Sequence, residues 1–516
     1  MKNKVILRAF LLLLAILMVI PFAGCENTPD PQETDPVTNP STDPTDTDPA
    51  GTEPTDTDPT DTEPTEEGPA LPEKNFNNRE FTILIREHEQ FTDDVYVKAI
   101  DAHSTSVERA VYQRLSDISS QFGMLFEALI EPTQALVSAN SKSGMDVYEV
   151  VVDHGRTMLG SAASGYFYDW NNLPYVDLSA DWWNQEAISE FSTPGGKLFT
   201  MLGDISYMSV GSAFCMFFNK ALIDDVDGLI SPYDLVRDKA WDFAKFEEYA
   251  TTVDSNLDGD GTGDIATDCF GYGTWYWRGP VQLLYSAGSR ILRWDDDNWK
   301  ITLDTDTTNE AVFDMRDLLF NSGSGVLSHE DSYVDLKAAF IEDRVVFMDG
   351  QVDEAGVFAG SDTSYGVLPW PKYNRRVKEY FSAVDAGTNL FGVMRNTSAE
   401  NAEFISIILE AMAYEGYDKV LPLYFDTILS YQYLKDEDSI EMLHIIHDNL
   451  VIDWNRSVGR FFKGVPTYSC IENNFAYASE EEAGMENGEY VLYEGSPAKR
   501  DMPAFENIPL EKIGRY

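Results

Sequence analysis

The sequence predicts an α/β protein, and three observations support this fold class. Phe81–Ile85 and Asp146–Val152 are short apolar runs of the kind that form buried strands. Between them, Val107–Phe122 carries apolar residues three and four positions apart, which is typical of an amphipathic helix. Strand, helix and strand in this order favour a parallel sheet over an all-β or all-α body. No internal repeat of about 20 to 50 residues is visible in the body, which argues against a solenoid or a propeller.

Later segments continue the alternation of strands and helices. The next expected elements are an apolar run over Ser209–Asn219 with a helix from Lys220, a strand at Gly366–Pro369, a strand within Thr388–Met394, a helix over Ala399–Tyr414, and a mostly helical part from Pro422 to Asp453.

Length and charge limit the kind of partner. The chain has 516 residues, 88 acidic against 37 basic, and a formal net charge of −51. At about 150 residues per domain, this length suggests two to four domains. Hydrophobic residues make up 43% and aromatic residues 13%, which is enough for a folded body. The negative charge argues against nucleic acid or an anionic membrane surface as a partner, because both are bound through clustered Lys and Arg.

The N-terminus has the pattern of an export signal. Three basic residues within residues 1–24 accompany the 12-residue apolar run Ala9–Ile20, which is too short to span a bilayer. Phe22–Cys25 resembles a bacterial lipobox, although Leu is usual where this chain has Phe22. The resemblance implies that Cys25 is acylated and anchors an exported protein to the extracellular face of the membrane. The alternative is a simple secretory signal with an incidental cysteine.

Residues 26–75 predict a disordered tether. They contain 15 acidic residues, 11 prolines and 12 threonines, with Val37 and Leu71 as their only large apolar residues. Such a segment buries too little surface to offset the entropy of ordering it, and like charges keep it extended. It contributes a net charge of −14, which leaves −40 for residues 76–516.

The remaining cysteines (Cys215, Cys269 and Cys470) form no CxxC or Cys/His cluster, which argues against a zinc or redox site.

From about residue 80 to 460 the chain resembles the extracellular solute-binding proteins of bacterial ABC transporters, family 1, which are mostly sugar-binding lipoproteins. No single motif decides the resemblance, but the order of the motifs is specific. The matching segments are Trp182–Trp183, Gly195–Phe199, Gly203–Asp204, Phe218–Lys220, Ser231–Val236, Trp241, Tyr285, Ala287–Gly288, Tyr365–Lys372, Pro422–Tyr424 and Asp436–Leu443.

The resemblance implies a two-lobed, periplasmic-binding-protein-like α/β fold of type II, with a hinge and an interlobe cleft. The chain would leave lobe 1 near residues 204–212 and return near residues 383–394. The implied divisions are residues 76–207 for the first part of lobe 1, 208–384 for the first part of lobe 2, 385–420 for the return to lobe 1, and 421–516 for a helical part mainly in lobe 2.

Residues 254–268 (DSNLDGDGTGDIATD) suggest a calcium loop, because alternating oxygen ligands around a glycine turn suit this hard cation. One register uses Asp254, Asn256 and Asp258, with the turn at Gly259. We prefer the second, whose ligands are Asn256, Asp258, Asp260, Thr262 and Asp264, with the turn at Gly261. Neither register has Glu at the twelfth position, and a metal-free acidic turn is the alternative. The ion's role would be structural.

Aromatic and acidic residues are the candidate ligand contacts. Trp275 and Trp277 would share one face of an extended segment, where they could stack on a sugar ring, unless one of them is buried. The similar candidates are Trp182, Trp183, Tyr207 at the first crossover and Asp385 at the second. Asp153 and Asp204 could accept hydrogen bonds from sugar hydroxyls; Asp204 is preferred because it lies at the implied hinge, whereas Asp153 is better explained as a helix cap or turn residue.

The resulting hypothesis is a monomeric, non-catalytic receptor. It would capture a carbohydrate, a neutral oligosaccharide given the acidic body, and deliver it to the ABC permease subunits. The alternatives are a surface glycan-binding lipoprotein without a transporter and a secreted glycoside hydrolase. No GxSxG, P-loop or HExxH motif is present, and a structural Ca²⁺ is the only expected ion.

Overall fold

Two sheets, of four and five strands and each covered by helices, form the main part of the described residues in this computed structural model, and three two-stranded sheets accompany them. The structure describes residues 68–145, 147–193, 195–252, 264–275, 278–290, 292–295, 298–301, 306–328, 333–425, 436–452, 485–486 and 489–490. These residues belong to one unit, Glu67–Tyr516. The predicted signal peptide, Cys25 and most of the predicted tether lie outside the described residues.

The strands in the described residues are β1 (Arg79–Ile85), β2 (Met124–Ile130), β3 (Val150–His154), β4 (Phe214–Asn219), β5 (Phe270–Trp275), β6 (Leu292–Asp295), β7 (Asn298–Ile301), β8 (Gly325–Ser328), β9 (Val345–Gln351), β10 (Tyr365–Leu368), β11 (Ser382–Ala383), β12 (Asn389–Val393), β13 (Leu450–Val451), β14 (Met485–Glu486) and β15 (Glu489–Tyr490). Five of these strands (β1, β3, β4, β10 and β12) overlap the apolar runs from which strands were predicted.

The α-helices connect these strands. They are α1 (Glu89–Asp93), α2 (Ser106–Phe122), α3 (Thr133–Ser143), α4 (Gly155–Ala163), α5 (Gln185–Phe191), α6 (Met208–Gly211), α7 (Lys220–Asp224), α8 (Pro232–Arg237), α9 (Phe243–Ala250), α10 (Arg278–Ser286), α11 (Asp306–Phe320), α12 (Tyr333–Ile341), α13 (Ala355–Phe358), α14 (Ala399–Glu415) and α15 (Glu437–Asp448). Short 3₁₀ turns cover Trp170–Asn172 and Val352–Glu354, and a π-helical turn covers Gly416–Val420.

The first sheet has the strand order β12-β3-β1-β2 and belongs to lobe 1. Strands β1, β2 and β3 are parallel, and β12 runs antiparallel to β3. Helix α2 packs against this sheet through its apolar face, and its sequence also defines both of its ends. Thr105 and Glu108 form a reciprocal capping box at its start, and Gly123, with φ of 57°, ends it in the left-handed conformation.

The second sheet has the order β10-β4-β9-β5-β8 and belongs to lobe 2. Strands β5, β8 and β9 are parallel, whereas β4 runs antiparallel to both β9 and β10. The two sheets share one feature. In lobe 1, β12 follows a crossover from lobe 2 and pairs antiparallel with β3. In lobe 2, β4 follows a crossover from lobe 1 and pairs antiparallel with β9. The core of lobe 2 is aromatic: Trp241 and Trp370 are completely buried, and truncating either to Ala would cost about 3 to 5 kcal/mol.

The two crossing segments lie side by side. Ala213, after α6, forms an antiparallel bridge with Val384. The amide of Asp385 donates to the carbonyl of Ser212 at 2.9 Å. A third pairing, β11 with β13, adds residues that follow α15. The crossings thus form one hydrogen-bonded connection between the sheets.

The body begins before residue 76. Leu71, assigned to the tether from composition, packs against the core of lobe 1, and Lys74 pairs with Glu403 at 2.5 Å. The amide of Phe76 donates to Phe122 at 2.8 Å. These contacts place residues 71–75 against the lobe, although their composition resembles that of the tether.

The C-terminal part divides between the lobes. Residues 416–420 lie against α2 in lobe 1, where Lys419 is 3.8 Å from Asp117. Helix α15 instead packs on α8 and β10 in lobe 2, with hydrogen bonds from Tyr233 to Ser439 and from Arg237 to Glu441.

Candidate functional site

The carboxyl ends of the parallel strands in both lobes meet at the crossovers. At the end of β9, the amide of Val352 donates to Ala213 at 3.0 Å. At the end of β3, the amide of Gly155 donates to Ala386, also at 3.0 Å. Open α/β sheets bind ligands outside the carboxyl ends of their strands. The candidate site is therefore the cleft formed by these two edges.

On the lobe 1 edge, an arginine and two rings follow β1. The Arg86 guanidinium lies 4.2 Å from the ring centre of Phe91 and donates to Asn389 Oδ1 at 3.3 Å and to the carbonyl of Gly387. His88 meets the same ring edge-on at 4.9 Å. Burial lowers the pKa of Arg86, and the surrounding Asp153, Asp94 and Asp385 oppose that shift. This cation is surrounded by carboxylates, so its charge is balanced locally.

Asp153 and His154 follow at the end of β3. The Asp153 carboxylate accepts from the backbone amide of His154 at 2.6 Å and from the hydroxyl of Thr133. The His154 ring caps α4 by accepting from the amide of Thr157 at 3.1 Å. Asp153 is therefore held by hydrogen bonds within lobe 1, but its predicted role as a helix cap is wrong, because His154 caps the helix.

On the lobe 2 edge, Trp275 ends β5 beside a buried ionic group. Trp275 is half-buried, and its ring centre lies 5.2 Å from the guanidinium carbon of Arg278. Arg278 and Lys337 each contact Glu354, both at 2.7 Å. Burial raises the pKa of Glu354, but Arg278 and then Lys337 outweigh it and hold that pKa below its usual value. A carboxylate therefore already neutralises Arg278. Trp277 lies outside the described residues.

Trp182 and Trp183 are inside lobe 1 rather than at the cleft. Trp183 is 1% exposed and packs edge-on against Trp170 at 5.5 Å. Both indole N–H groups donate to the carboxyl of Glu410, at 3.1 Å from Trp182 and 2.9 Å from Trp183. Burial raises the pKa of Glu410 to about 7 despite these donors. In this arrangement the two tryptophans hold the core of lobe 1 together.

Tyr207, Asp204 and Asp385 lie at the crossovers, as the sequence predicts. The Tyr207 ring packs against Tyr424 at 4.8 Å, and burial raises its pKa well above the usual value. Asp204 is buried, and its Oδ1 lies 3.9 Å from His447 Nε2. Burial raises the pKa of Asp204, whereas His447 opposes the shift. His447 belongs to α15 on lobe 2, so this contact joins the lobes.

Asp385 shapes the return segment. Its Oδ1 accepts from the amide of Gly387 at 2.5 Å, and its carbonyl accepts from the amide of Thr388 at 3.0 Å. The side chain thus fixes a tight turn, and that turn presents the Gly387 carbonyl to Arg86. Arg86, His88 and Phe91 were not predicted from the sequence as site residues. Their position directly after a buried strand is the signal that could have identified them.

A buried polar network fixes the first crossing segment to lobe 1. Arg114 on α2 donates to the carbonyls of Ile205 at 2.9 Å and Asp94 at 3.2 Å. The Asp94 carboxylate accepts from Asn389 at 3.1 Å and from the hydroxyl of Ser206. Burial raises the pKa of Asp94 to about 6 and lowers that of Arg114 to about 10. These bonds connect α2, the crossover and β12.

Asp264 is the only predicted calcium ligand in the described part of the chain; Asn256, Asp258, Asp260 and Thr262 lie outside it. The Asp264 amide donates to Asp268 at 2.9 Å, and its Oδ1 accepts from Ala266 at 2.9 Å, which is an Asx turn. No three His, Cys, Asp or Glu side chains among the described residues come together in a group that could hold a metal ion.

Within the described residues, no helix has both the length and the apolar character needed to cross a membrane.

Comparison with known proteins identifies the architecture. No family model matches the sequence, and no curated protein matches it. Among solved structures, the maltose-binding protein MalE from Listeria monocytogenes, in complex with maltose, gives a TM-score of 0.50 at 12% identity, covering 78% of this chain and 93% of that chain. The MalE domain from Bdellovibrio bacteriovorus, bound to maltotriose, gives 0.48 at 14% identity, covering 79% and 95%. The likeness to the Listeria protein confirms the predicted two-lobed, periplasmic-binding-protein-like α/β fold.

Proposed function

We propose that this protein captures a neutral oligosaccharide in the cleft between its lobes and delivers it to the permease of a bacterial ABC importer. The observation that carries the proposal is the meeting of the two carboxyl edges at the crossovers, marked by the bonds from Val352 to Ala213 and from Gly155 to Ala386. The Listeria protein that shares this fold was solved with maltose. A hinge between two lobes allows closure around such a ligand.

Charge and ring placement support a neutral, partly apolar ligand. Trp275 and Phe91 are half-buried at opposite edges, where they could stack on the C–H faces of sugar rings. Arg278 is paired with Glu354, and Arg86 lies among carboxylates. Neither cation is therefore set up to attract an anion, and the body as a whole is acidic.

Titration calorimetry with maltose and longer maltodextrins tests the proposal. We expect saturable binding, and we expect Trp275→Ala to weaken it about fivefold or more, because a central aromatic contact commonly contributes over about 1 kcal/mol. Trp275→Phe should retain most of the affinity. Tyr166→Ala is the matched control, since Tyr166 follows the C-terminal end of α4, whereas the opposite end, at Gly155, bonds to the crossover.

Two results would count against this function. Absence of binding to any neutral oligosaccharide would remove the carbohydrate assignment. Release of reducing ends from a bound glycan by the purified protein would indicate a glycoside hydrolase instead. Binding without turnover agrees with the proposal. A functional permease partner that takes up the bound sugar would then distinguish a transport receptor from a surface adhesion protein.

We also propose that Cys25 carries the lipid anchor, with the acidic segment after it as the tether. Metabolic labelling with a fatty acid should mark the wild-type protein and leave Cys25→Ala unlabelled. Equal labelling of the two would remove the assignment. Export without labelling would indicate a simple secretory signal.

Calcium binding by residues 256–264 is a further proposal, supported by the alternating oxygen side chains of the loop. After chelation, adding Ca²⁺ should raise the melting temperature, because an ion bound only by the folded state stabilises it by mass action. Asp260→Ala should abolish the rise, whereas Asp264→Asn should reduce it. An unchanged melting temperature in the wild type would indicate a metal-free turn.

A further inference from the structure

A basic cavity lies on lobe 2, between the end of α8 and the segment that connects β10 to β11. Its volume is about 450 Å³, and its charged lining consists of four basic and two acidic residues. They are Lys239, Lys372, Arg375, Lys378, Asp238 and Glu379. In a chain with 88 acidic and 37 basic residues, a concave surface with a local excess of positive charge stands out.

The backbone holds these cations in place. The segment Lys372–Lys378 has four basic residues in seven and no acidic residue. It is tied to the start of α9, because the amide of Phe243 donates to the carbonyl of Lys372 at 2.7 Å. Within the segment, Asn374 Oδ1 accepts from the amide of Arg376 at 2.9 Å. The positive side chains therefore project from a defined turn.

Lys372 is the buried member of the group. The residue is 3% exposed, its ammonium donates to the carbonyl of Lys239 at 2.9 Å, and it lies 5.0 Å from the ring centre of Tyr380. Burial and the nearby Lys239 lower the pKa of Lys372, while Asp242 and Glu379 act in the opposite direction. An anion in the cavity would stabilise this ammonium.

The exposed cations of the cavity form only loose ion pairs with neighbouring carboxylates. Lys239 lies 3.6 Å from Glu379, and both side chains are more than half exposed. Arg375 lies 3.6 Å from Asp242, and its side chain is 80% exposed. Exposed pairs at such distances contribute little to stability. Lys239 and Arg375 can therefore turn towards a ligand at small cost.

We propose that this cavity is a docking site for a carboxylate-rich peptide segment of a partner protein. The cavity is larger than a single small anion needs and falls in the size range of specific ligand sites. A flat lipid surface cannot enter a concave site. A long polyanion such as nucleic acid would be repelled by the strongly acidic body around the cavity. A short acidic segment can bind the positive charge of the cavity without extending over the acidic surface around it.

Fluorescence anisotropy with the full chain and a short labelled peptide of alternating glutamate and glycine tests the site. We expect saturable binding at low salt that weakens as salt is added. Arg375→Glu combined with Lys378→Glu should weaken binding about tenfold or more, because two attractive contacts become repulsive. The matched control is Lys98→Glu combined with Lys197→Glu, which makes the same charge change at exposed positions on lobe 1.

Three results would overturn the proposal. Equal losses in the two double variants would show a general charge effect rather than a site. Complete displacement of the peptide by inorganic phosphate at comparable charge concentration would indicate a small-anion site. Binding to anionic vesicles that depends on Arg375 and Lys378, without peptide binding, would indicate a membrane contact. Because none of these measurements uses a sugar, their outcome is independent of the carbohydrate proposal.

Discussion

Replacing Arg114 with methionine is expected to lower the free energy of unfolding by about 3 to 5 kcal/mol. Arg114 is 1% exposed, and its guanidinium donates to the carbonyls of Ile205 and Asp94. Methionine keeps the apolar stem but leaves these buried acceptors without their donor, which carries the full desolvation cost. It also removes a cation that lowers the pKa of Asp94. Chemical denaturation at neutral pH measures the loss.

Arg109→Met is the matched control for this change. It makes the same substitution in α2 at a residue that is only half-buried, so the expected loss is below about 1 kcal/mol. Arg114→Met should also weaken oligosaccharide binding more than Arg109→Met does, because Ile205 lies in the crossing segment that positions the lobes. Equal losses of stability in the two variants would contradict the anchoring role of Arg114.

The sequence was sufficient for the fold class and for several of the elements. Helix α2 covers Ser106–Phe122 where the spacing predicted Val107–Phe122, and α14 covers Ala399–Glu415 where the prediction was Ala399–Tyr414. β3, predicted over Asp146–Val152, is observed at Val150–His154. These elements are encoded locally, by periodic apolar residues and by caps such as Thr105, so pattern and composition are enough to find them.

The candidate site was predicted less well because its contacts join distant parts of the chain. Trp182 and Trp183 look like platform residues in isolation, but the carboxyl that binds their indoles, Glu410, is more than 220 positions away. Arg278 meets Glu354 only once β5 and β9 pair. Such side-chain contacts depend on the order of the strands in the sheet, and the pattern of one sequence does not give that order.

Lobe 2 contains a carboxyl that should make stability depend on pH. Asp349 is completely buried on β9, and its Oδ2 accepts a hydrogen bond from Thr274 at 3.0 Å. Burial raises the pKa of Asp349 to about 7, although Arg278 and Thr274 act to lower it. Between about pH 4 and pH 7 the folded state holds a proton that the unfolded state has released. The free energy of unfolding should therefore fall as pH rises through this window and level off above it.

Asp349→Asn removes this titration and should make the protein more stable than wild type at high pH. Three pKa units correspond to about 4 kcal/mol at most, so we expect the stability difference between variant and wild type to change by about 2 to 4 kcal/mol from pH 4.5 to pH 8. Denaturant titrations across this range measure it, and titrations of other groups cancel in the comparison. Asp335→Asn, at an exposed position of α12, should follow the wild type throughout. If the Asp349→Asn curve also runs parallel to the wild type, Asp349 titrates alike in the folded and unfolded states. The proton would then have no part in the stability of lobe 2.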